Sequence, residues 1–79
     1  MTTDNDIEKK EKLRSSLEKD LPPIIARSSI NRFLTDYMPQ TLANEDSLGI
    51  GPKNRIKGKY GKVSYYRDDL IEWYINKKF

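Results

Sequence analysis

Hydrophobic residues are sparse in the first part of the chain and recur there at a helical interval. Leu13, Leu17 and Leu21 lie four residues apart, which predicts a helix over residues 7–19 with a thin apolar stripe. Such a stripe could pack on the rest of the chain, on a second copy or on nothing. A Pro-Pro pair at residues 22–23 follows, and because proline lacks a backbone donor, it ends the helix.

The pattern changes after the proline pair and predicts two short helices. Ile30, Phe33 and Leu34 are spaced as on one helix face, which predicts a helix over residues 29–34. After a short break, a second helix is predicted over residues 39–47.

The ends of the second helix carry their own signals. Pro39 suits the first helical turn, since its missing N–H is not needed there. Gly49 suits a left-handed C-terminal cap, and Pro52 forbids continuation. Two short helices at this separation are typical of a helix-turn-helix, although the spacing alone is weak evidence.

The next segment alternates with a period of two, which predicts a β-hairpin. Strands are expected at residues 55–57 and 62–65, joined by a turn at residues 58–61 that contains two glycines. Alternation then predicts an apolar face that packs and a cationic face that is exposed. The expected apolar face holds Ile56, Val63 and Tyr65, and the expected cationic face holds Arg55, Lys57, Lys62 and Ser64.

A last helix is predicted over residues 68–76. Asp68 and Asp69 suit its positive N-terminal end, and two lysines suit its C-terminal end. Its apolar positions include Trp73 and Tyr74, which we expect in the core rather than on a base-stacking platform. The whole order predicts a mainly α fold with a small β-hairpin, arranged as a winged helix-turn-helix over residues 21–79 and preceded by a charged tail or helix at residues 1–20.

The balance of basic and acidic residues also changes at the boundary between residues 20 and 21. Residues 1–20 carry five basic and six acidic side chains, whereas residues 21–79 carry ten basic and six acidic ones. Residues 53–67 contain six basic side chains and no acidic one. Such a segment is either a binding surface for a polyanion or a solvated loop.

Composition excludes several functional classes. The chain has 79 residues, 35% of them hydrophobic, and contains neither cysteine nor histidine. Disulfides, zinc sites, thiol nucleophiles and imidazole bases are therefore excluded, and we expect no enzymatic activity, no metal and no cofactor. There is no apolar stretch of the ~20 residues that a membrane span needs and no secretory signal, so we expect a cytoplasmic protein.

Several short motifs resemble those of a known family. They are Thr41-Leu42-Ala43-Asn44, Gly49-Ile50-Gly51-Pro52, Gly61-Lys62-Val63-Ser64-Tyr65 and Asp69-Leu70-Ile71-Glu72-Trp73. Residues 21–77 resemble the small phage and mobile-element DNA-binding proteins of the excisionase and AlpA-like type, whose winged helices are related to the MerR family. The resemblance implies that Gly51-Pro52 forms the bend between recognition helix and wing, and that Tyr65 anchors the wing.

The candidate DNA contacts fall into three groups. The recognition-helix group can pair with base edges, the wing group can bind the backbone, with Lys59 or Tyr60 at its tip near a minor groove, and the third group can touch adjacent phosphates. The recognition-helix group is Gln40, Thr41 and Asn44, the wing group is Arg55, Lys57, Lys59, Tyr60 and Lys62, and the phosphate group is Arg27, Ser28, Arg32 and Lys53. Arg32 could instead pair with Asp36.

We therefore expect a sequence-specific double-stranded DNA-binding protein of phage or integrated-element origin. The resemblance implies an excisionase that binds attachment-site DNA in several copies on tandem sites and assists a phage-type integrase. An AlpA-like transcription regulator is the alternative within the same chemistry. The alternative of another class is a protein–protein interaction module, in which the apolar stripe from Ile7 to Leu21 docks on a partner and the basic hairpin meets an acidic surface.

Overall fold

Four helices and a three-stranded antiparallel sheet make up the computed structural model, which describes residues 4–78. The helices are α1 (Asp4–Asp20), α2 (Ile30–Phe33), α3 (Pro39–Ser47) and α4 (Arg67–Lys78). The strands are β1 (Ile24–Ala26), β2 (Arg55–Lys57) and β3 (Val63–Tyr66), and single 3-10 turns lie at Arg27–Ser29 and Lys59–Gly61. A mainly helical chain with a small antiparallel sheet agrees with the predicted class.

The leucine stripe of α1 packs on the rest of the chain. Leu17 and Leu21 are buried in the common core, and Leu13 packs against its edge. The helix lies against α4, where Arg14 forms an ion pair with Glu72 at 3.0 Å. The sequence allowed the stripe to pack on the rest of the chain, on a second copy or on nothing, and the structure shows it packed on the rest of the chain.

The junction of β3 and α4 holds the end of α1 in place. Arg67 Nη1 donates to the main-chain oxygens of Glu18 and Leu21, at 3.4 and 3.5 Å, where the last turn of α1 leaves its carbonyls without helical partners. The main-chain N–H of Arg67 donates to the carbonyl of Pro23 at 2.9 Å. One residue thus fixes both α1 and the proline pair that follows it.

The predicted bounds of α3 are confirmed. Pro39 opens the helix, and Gly49 ends it at a φ of 76°. The N–H of Gly49 donates to Asp46 O at 3.1 Å and that of Ile50 to Glu45 O at 3.0 Å, which is the double hydrogen bond of a Schellman cap. This cap turns the chain from α3 towards β2.

The first strand was not predicted from the sequence. β1 pairs with β3, with Ile25 opposite Tyr65, so β3 is the central strand in the order β1-β3-β2. Three residues between a proline pair and a 3-10 turn are too few to show a period of two. The strand forms because the free edge of β3 offers partners for its backbone groups.

The predicted division of the hairpin into an apolar and a cationic face is wrong. Arg55 pairs with Tyr65, Ile56 with Ser64 and Lys57 with Val63. Because opposite residues of an antiparallel pair point to the same side, Arg55 and Lys57 share the face of Val63 and Tyr65, whereas Ile56 shares the face of Ser64. The five-residue connection 58–62 replaces the expected four-residue turn, and a slip of one residue moves a whole strand to the other face.

The core lies between the inner face of the sheet and the helices. Ile25, Ile30, Leu42, Tyr65 and Leu70 are among its fully buried members. The predicted core position of the α4 aromatic residues is confirmed, because Trp73 is 6% exposed and Tyr74 9% exposed.

The turn between α2 and α3 is attached to the end of α4. The Tyr37 ring packs on those of Trp73 and Tyr74, with centroids 5.1 and 5.6 Å apart. Asp36 accepts a hydrogen bond from the Tyr74 hydroxyl at 3.2 Å and forms an ion pair with Lys78. The alternative pairing of Asp36 with Arg32 is therefore wrong. Among residues 4–78, no helix is both long and apolar enough to cross a membrane.

Candidate nucleic-acid interface

The polar residues predicted for the recognition helix lie on the first two turns of α3. Gln40 and Asn44 are exposed, and Gln40 Nε2 donates to Asn44 Oδ1 at 3.0 Å, as an i, i+4 pair on one helix face does. Thr41 is half-buried, and Leu42 is fully buried and holds the opposite face in the core. This hydrogen bond leaves the side-chain oxygen of Gln40 and the side-chain N–H groups of Asn44 available to a ligand.

The lysines of the predicted wing lie at the end of β2 and in the connection to β3. We call Lys57, Lys59 and Lys62 the loop lysines. Lys57, Lys59 and Lys62 are exposed, and none of them pairs with an acidic group of the described chain. By contrast, Lys77 and Lys78 each form an ion pair within the fold. The loop lysines thus have charges that the fold itself does not use.

A hydrogen-bonded cluster beneath the hairpin joins α3 to the sheet. This Asp46 cluster consists of Asp46, Arg27, Tyr65 and Arg55. Asp46 Oδ2 accepts from Arg27 Nη2 and from the Tyr65 hydroxyl, each at 2.5 Å, and Arg27 Nε donates to that hydroxyl at 2.9 Å. Arg55 Nη1 lies 3.9 Å from Asp46 Oδ1, and the side chain of Asp46 is only 4% exposed.

The cluster shifts the protonation equilibria of its members. Burial raises the pKa of the Tyr65 phenol to about 12, and the hydrogen bond to the Asp46 carboxylate acts in the same direction. Burial alone would lower the pKa of Arg27, but its hydrogen bonds to Tyr65 and Asp46 raise it above the usual value. The phenol and the guanidinium therefore keep their protons at neutral pH, so both can donate to Asp46.

Asp46 was not among the residues predicted from the sequence, and its neighbour Gly51 shows how closely it is packed. A Cβ on Gly51 would lie inside contact distance of Asp46 Oδ1 and 3.0 Å from Asp46 Cγ, so only glycine leaves room for the carboxylate. The bend at Gly51-Pro52 was predicted for its backbone, but the glycine is also needed for this close approach.

A surface groove brings together three of the predicted contact residues. It runs between the first turn of α3, at Pro39, and β3, and Arg27, Ser28 and Lys62 are among its lining residues. These residues come from three separate segments: the 3-10 turn before α2, the start of α3 and the hairpin. The groove lies where the first residue of α3 meets the hairpin, and the predicted recognition-helix residues Gln40, Thr41 and Asn44 are not among its lining residues.

The remaining predicted residues are placed differently. Arg27 lies in the groove but is 22% exposed, with two of its N–H groups used by the Asp46 cluster. Arg55 stands at the edge of that cluster, and Lys53 lines a separate depression with Gly49 and Gly51. Arg32 is exposed on α2 and does not line the groove.

Comparison with family models, with curated proteins and with solved structures finds no match to this chain.

Proposed function

We propose that this protein binds double-stranded DNA, with α2 and α3 as a helix-turn-helix and the β2–β3 hairpin as its wing. The groove between α3 and the hairpin carries this proposal, because it joins the start of the candidate recognition helix to cations of two other segments. A recognition helix places its N-terminal residues against base edges while neighbouring elements contact the backbone. In this chain, the exposed amides lie at that end of α3.

The two amides supply the chemistry for base recognition. Asparagine and glutamine can each donate to and accept from adenine in the major groove, and a good bidentate pair contributes roughly 1–3 kcal/mol of discrimination. The hydrogen bond between Gln40 and Asn44 holds both side chains towards one patch of solvent. We propose that this pair reads an adenine-containing step.

The lysines of the wing supply the affinity. Each phosphate that a lysine neutralises releases a condensed counterion, so about four phosphate contacts give a log–log salt slope near −3.6. Lys57, Lys59 and Lys62 are the principal candidates, since no acidic side chain of the described residues competes for them. Arg27, held by the Asp46 cluster, positions the wing on α3 and keeps free N–H groups for a phosphate at the groove.

The biological role follows from the resemblance of residues 21–77 to the excisionases and AlpA-like proteins. We propose an excisionase that binds attachment-site DNA and assists integrase, with an AlpA-like regulator as the alternative within the same chemistry. Of the stripe on which a protein interaction module would dock, Ile7 is 50% exposed, but Leu17 and Leu21 are buried in the core and Leu13 packs against its edge. That packing favours the DNA-binding proposal over the interaction module.

Fluorescence anisotropy with labelled duplexes tests the proposal. Duplexes from the flanks of the parent element and from the gene's own promoter are titrated against a scrambled duplex at several salt concentrations. We expect specific, steeply salt-dependent binding to the attachment-site flanks, whereas specific binding at the promoter alone would favour the regulator. The absence of binding to every duplex would contradict DNA binding and leave the interaction module as the better account.

A charge-matched pair of variants locates the interface. Lys59→Ala/Lys62→Ala removes two cations from the wing, and Lys9→Ala/Lys12→Ala removes two from α1, outside the groove. Both lower the net charge from +3 by the same amount. The wing variant should bind at least tenfold more weakly with a salt slope about 2 units shallower, and the α1 variant should bind nearly as the wild type does. Equal losses in both would show that the hairpin has no special role.

A further inference from the structure

The tip of the hairpin presents one aromatic ring to solvent. Tyr60 is 96% exposed, between Lys59 and Gly61 in the 3-10 turn of the loop. The ring makes no hydrogen bond and no ring contact with the described residues. Core packing therefore does not account for an aromatic residue at this position.

The backbone of Tyr60 is unfavourable for that residue type. Its φ is 62° and its ψ 31°, and it is the one residue other than glycine with a positive φ among residues 4–78. The left-handed region suits glycine or asparagine and is costly for a bulky side chain. Glycine would adopt this backbone conformation without strain, so the folding of the turn does not explain why a tyrosine is present here.

The backbone of the loop around Tyr60 is closed by hydrogen bonds. The N–H of Gly58 donates to Lys62 O at 2.7 Å, and the N–H of Lys62 donates to Lys59 O at 3.3 Å, which closes the loop from both sides. The side chain of Tyr60 stands in solvent on this closed loop. Lys59 and Lys62 lie on either side of the ring along the chain, and neither pairs with an acidic group of the described residues.

We propose that Tyr60 inserts its ring against the bases of the minor groove and partly unstacks one base step while the two lysines bind the flanking phosphates. The inference rests on the proposed DNA-binding function and adds its substrate class: duplexes with an easily unstacked pyrimidine–purine step. Apolar and aromatic wedges of this kind kink DNA at steps that deform readily. An exposed ring between cations, on a closed loop, has the features such a wedge requires.

The test uses the full chain and two duplexes that differ at one position. One duplex carries a central TA step and the other an A-tract there, and 2-aminopurine beside the step reports unstacking by an increase in fluorescence. We expect the wild type to raise the fluorescence of the TA duplex severalfold and to bind it at least threefold more tightly than the A-tract duplex. Tyr60→Gly fits the backbone and should fold normally, while losing both effects. Tyr60→Phe should retain both, because stacking needs the ring and not the hydroxyl.

Tyr66→Ala is the matched control, since it removes a half-exposed tyrosine from β3 outside the tip. This variant should behave as the wild type. Suppose that the wild type binds DNA and that Tyr60→Gly keeps both the fluorescence change and the preference for the TA duplex. Insertion of the Tyr60 ring is then contradicted, whereas DNA binding is not. If Tyr60→Phe loses both effects, stacking of the ring is overturned. If no duplex is bound at all, the proposed function itself fails, which the anisotropy measurement shows independently.

Discussion

The hydroxyl of Tyr65 donates a hydrogen bond to the Asp46 carboxylate at 2.5 Å, and this contact joins the central strand of the sheet to the C-terminal half of α3. Arg27 completes the connection, because it binds both groups. The relative position of the candidate recognition helix and the hairpin thus depends on one carboxylate.

Asp46→Asn should destabilise the fold. The substitution removes the negative charge that faces the half-buried Arg27 and leaves charged hydrogen bonds unmade, so we expect a loss of about 2–3 kcal/mol in the free energy of unfolding. Urea denaturation followed by circular dichroism measures it. Asp68→Asn is the control, because the side chain of Asp68 is 86% exposed and its substitution should change stability by less than about 0.5 kcal/mol. Equal stability of the two variants would contradict a structural role for the cluster.

Gly51→Ala should destabilise the fold through Asp46. The added methyl group would overlap the carboxylate, which must leave its hydrogen bonds to make room, at a cost of about 1–3 kcal/mol. Gly58→Ala is the control, since its Cβ would meet Lys62 O at 3.4 Å. In a double-mutant cycle, Gly51→Ala should cost less in an Asp46→Ala background, because the atoms it displaces are then absent. Additive losses would show that the two residues act separately.

Stability should fall at high pH through Tyr65. Its pKa is raised from 10.0 to about 12, chiefly by burial, so its contribution is complete below pH 10 and is lost as the pH rises through 12. Tyr65→Phe should be less stable at neutral pH, because the hydrogen bond to Asp46 is gone, and should show a shallower loss of stability between pH 10 and 12. Urea denaturation of both proteins across this range measures the difference. Parallel pH profiles would contradict the assignment.

Leu17→Ala should lower the stability of the whole chain. Leu17 is 8% exposed and packs in the core shared with α4, so truncation should cost about 2 kcal/mol in a single unfolding transition. Ile7→Ala is the control, because Ile7 is 50% exposed and should matter by less than about 0.5 kcal/mol. A Leu17→Ala variant as stable as the wild type would show that α1 does not stabilise the domain.

Gln40→Ala/Asn44→Ala should erode sequence preference more than overall affinity. The two amides are exposed groups at the start of α3, and the phosphate contacts that we propose for non-specific affinity involve other residues. Anisotropy titrations with a specific and a scrambled duplex measure the ratio of the two dissociation constants, which should fall at least tenfold. An equal loss on both duplexes would contradict base recognition by this pair.

Local signals in the sequence were sufficient for the elements that depend on nearby residues. The proline at 39 and the glycine at 49 placed both ends of α3, and the spacing of the apolar residues placed α4 and its buried aromatic residues. The sequence likewise showed that residues 53–67 carry six basic side chains and no acidic one. These features follow from helix capping, side-chain periodicity and charge, which act over a few residues.

Contacts between distant residues determined the rest. One residue more or fewer in the hairpin connection decides whether Ile56 or Arg55 lies on the face of Tyr65. The alternation of polar and apolar residues within each strand is the same for both registers, so it cannot distinguish them. The strand β1 exists because β3 has an edge to pair with, and Asp46 matters because Arg27, Tyr65 and Gly51 come to it from other parts of the chain. Register, strand pairing and buried polar clusters are properties of groups far apart in sequence, so only the folded chain specifies them.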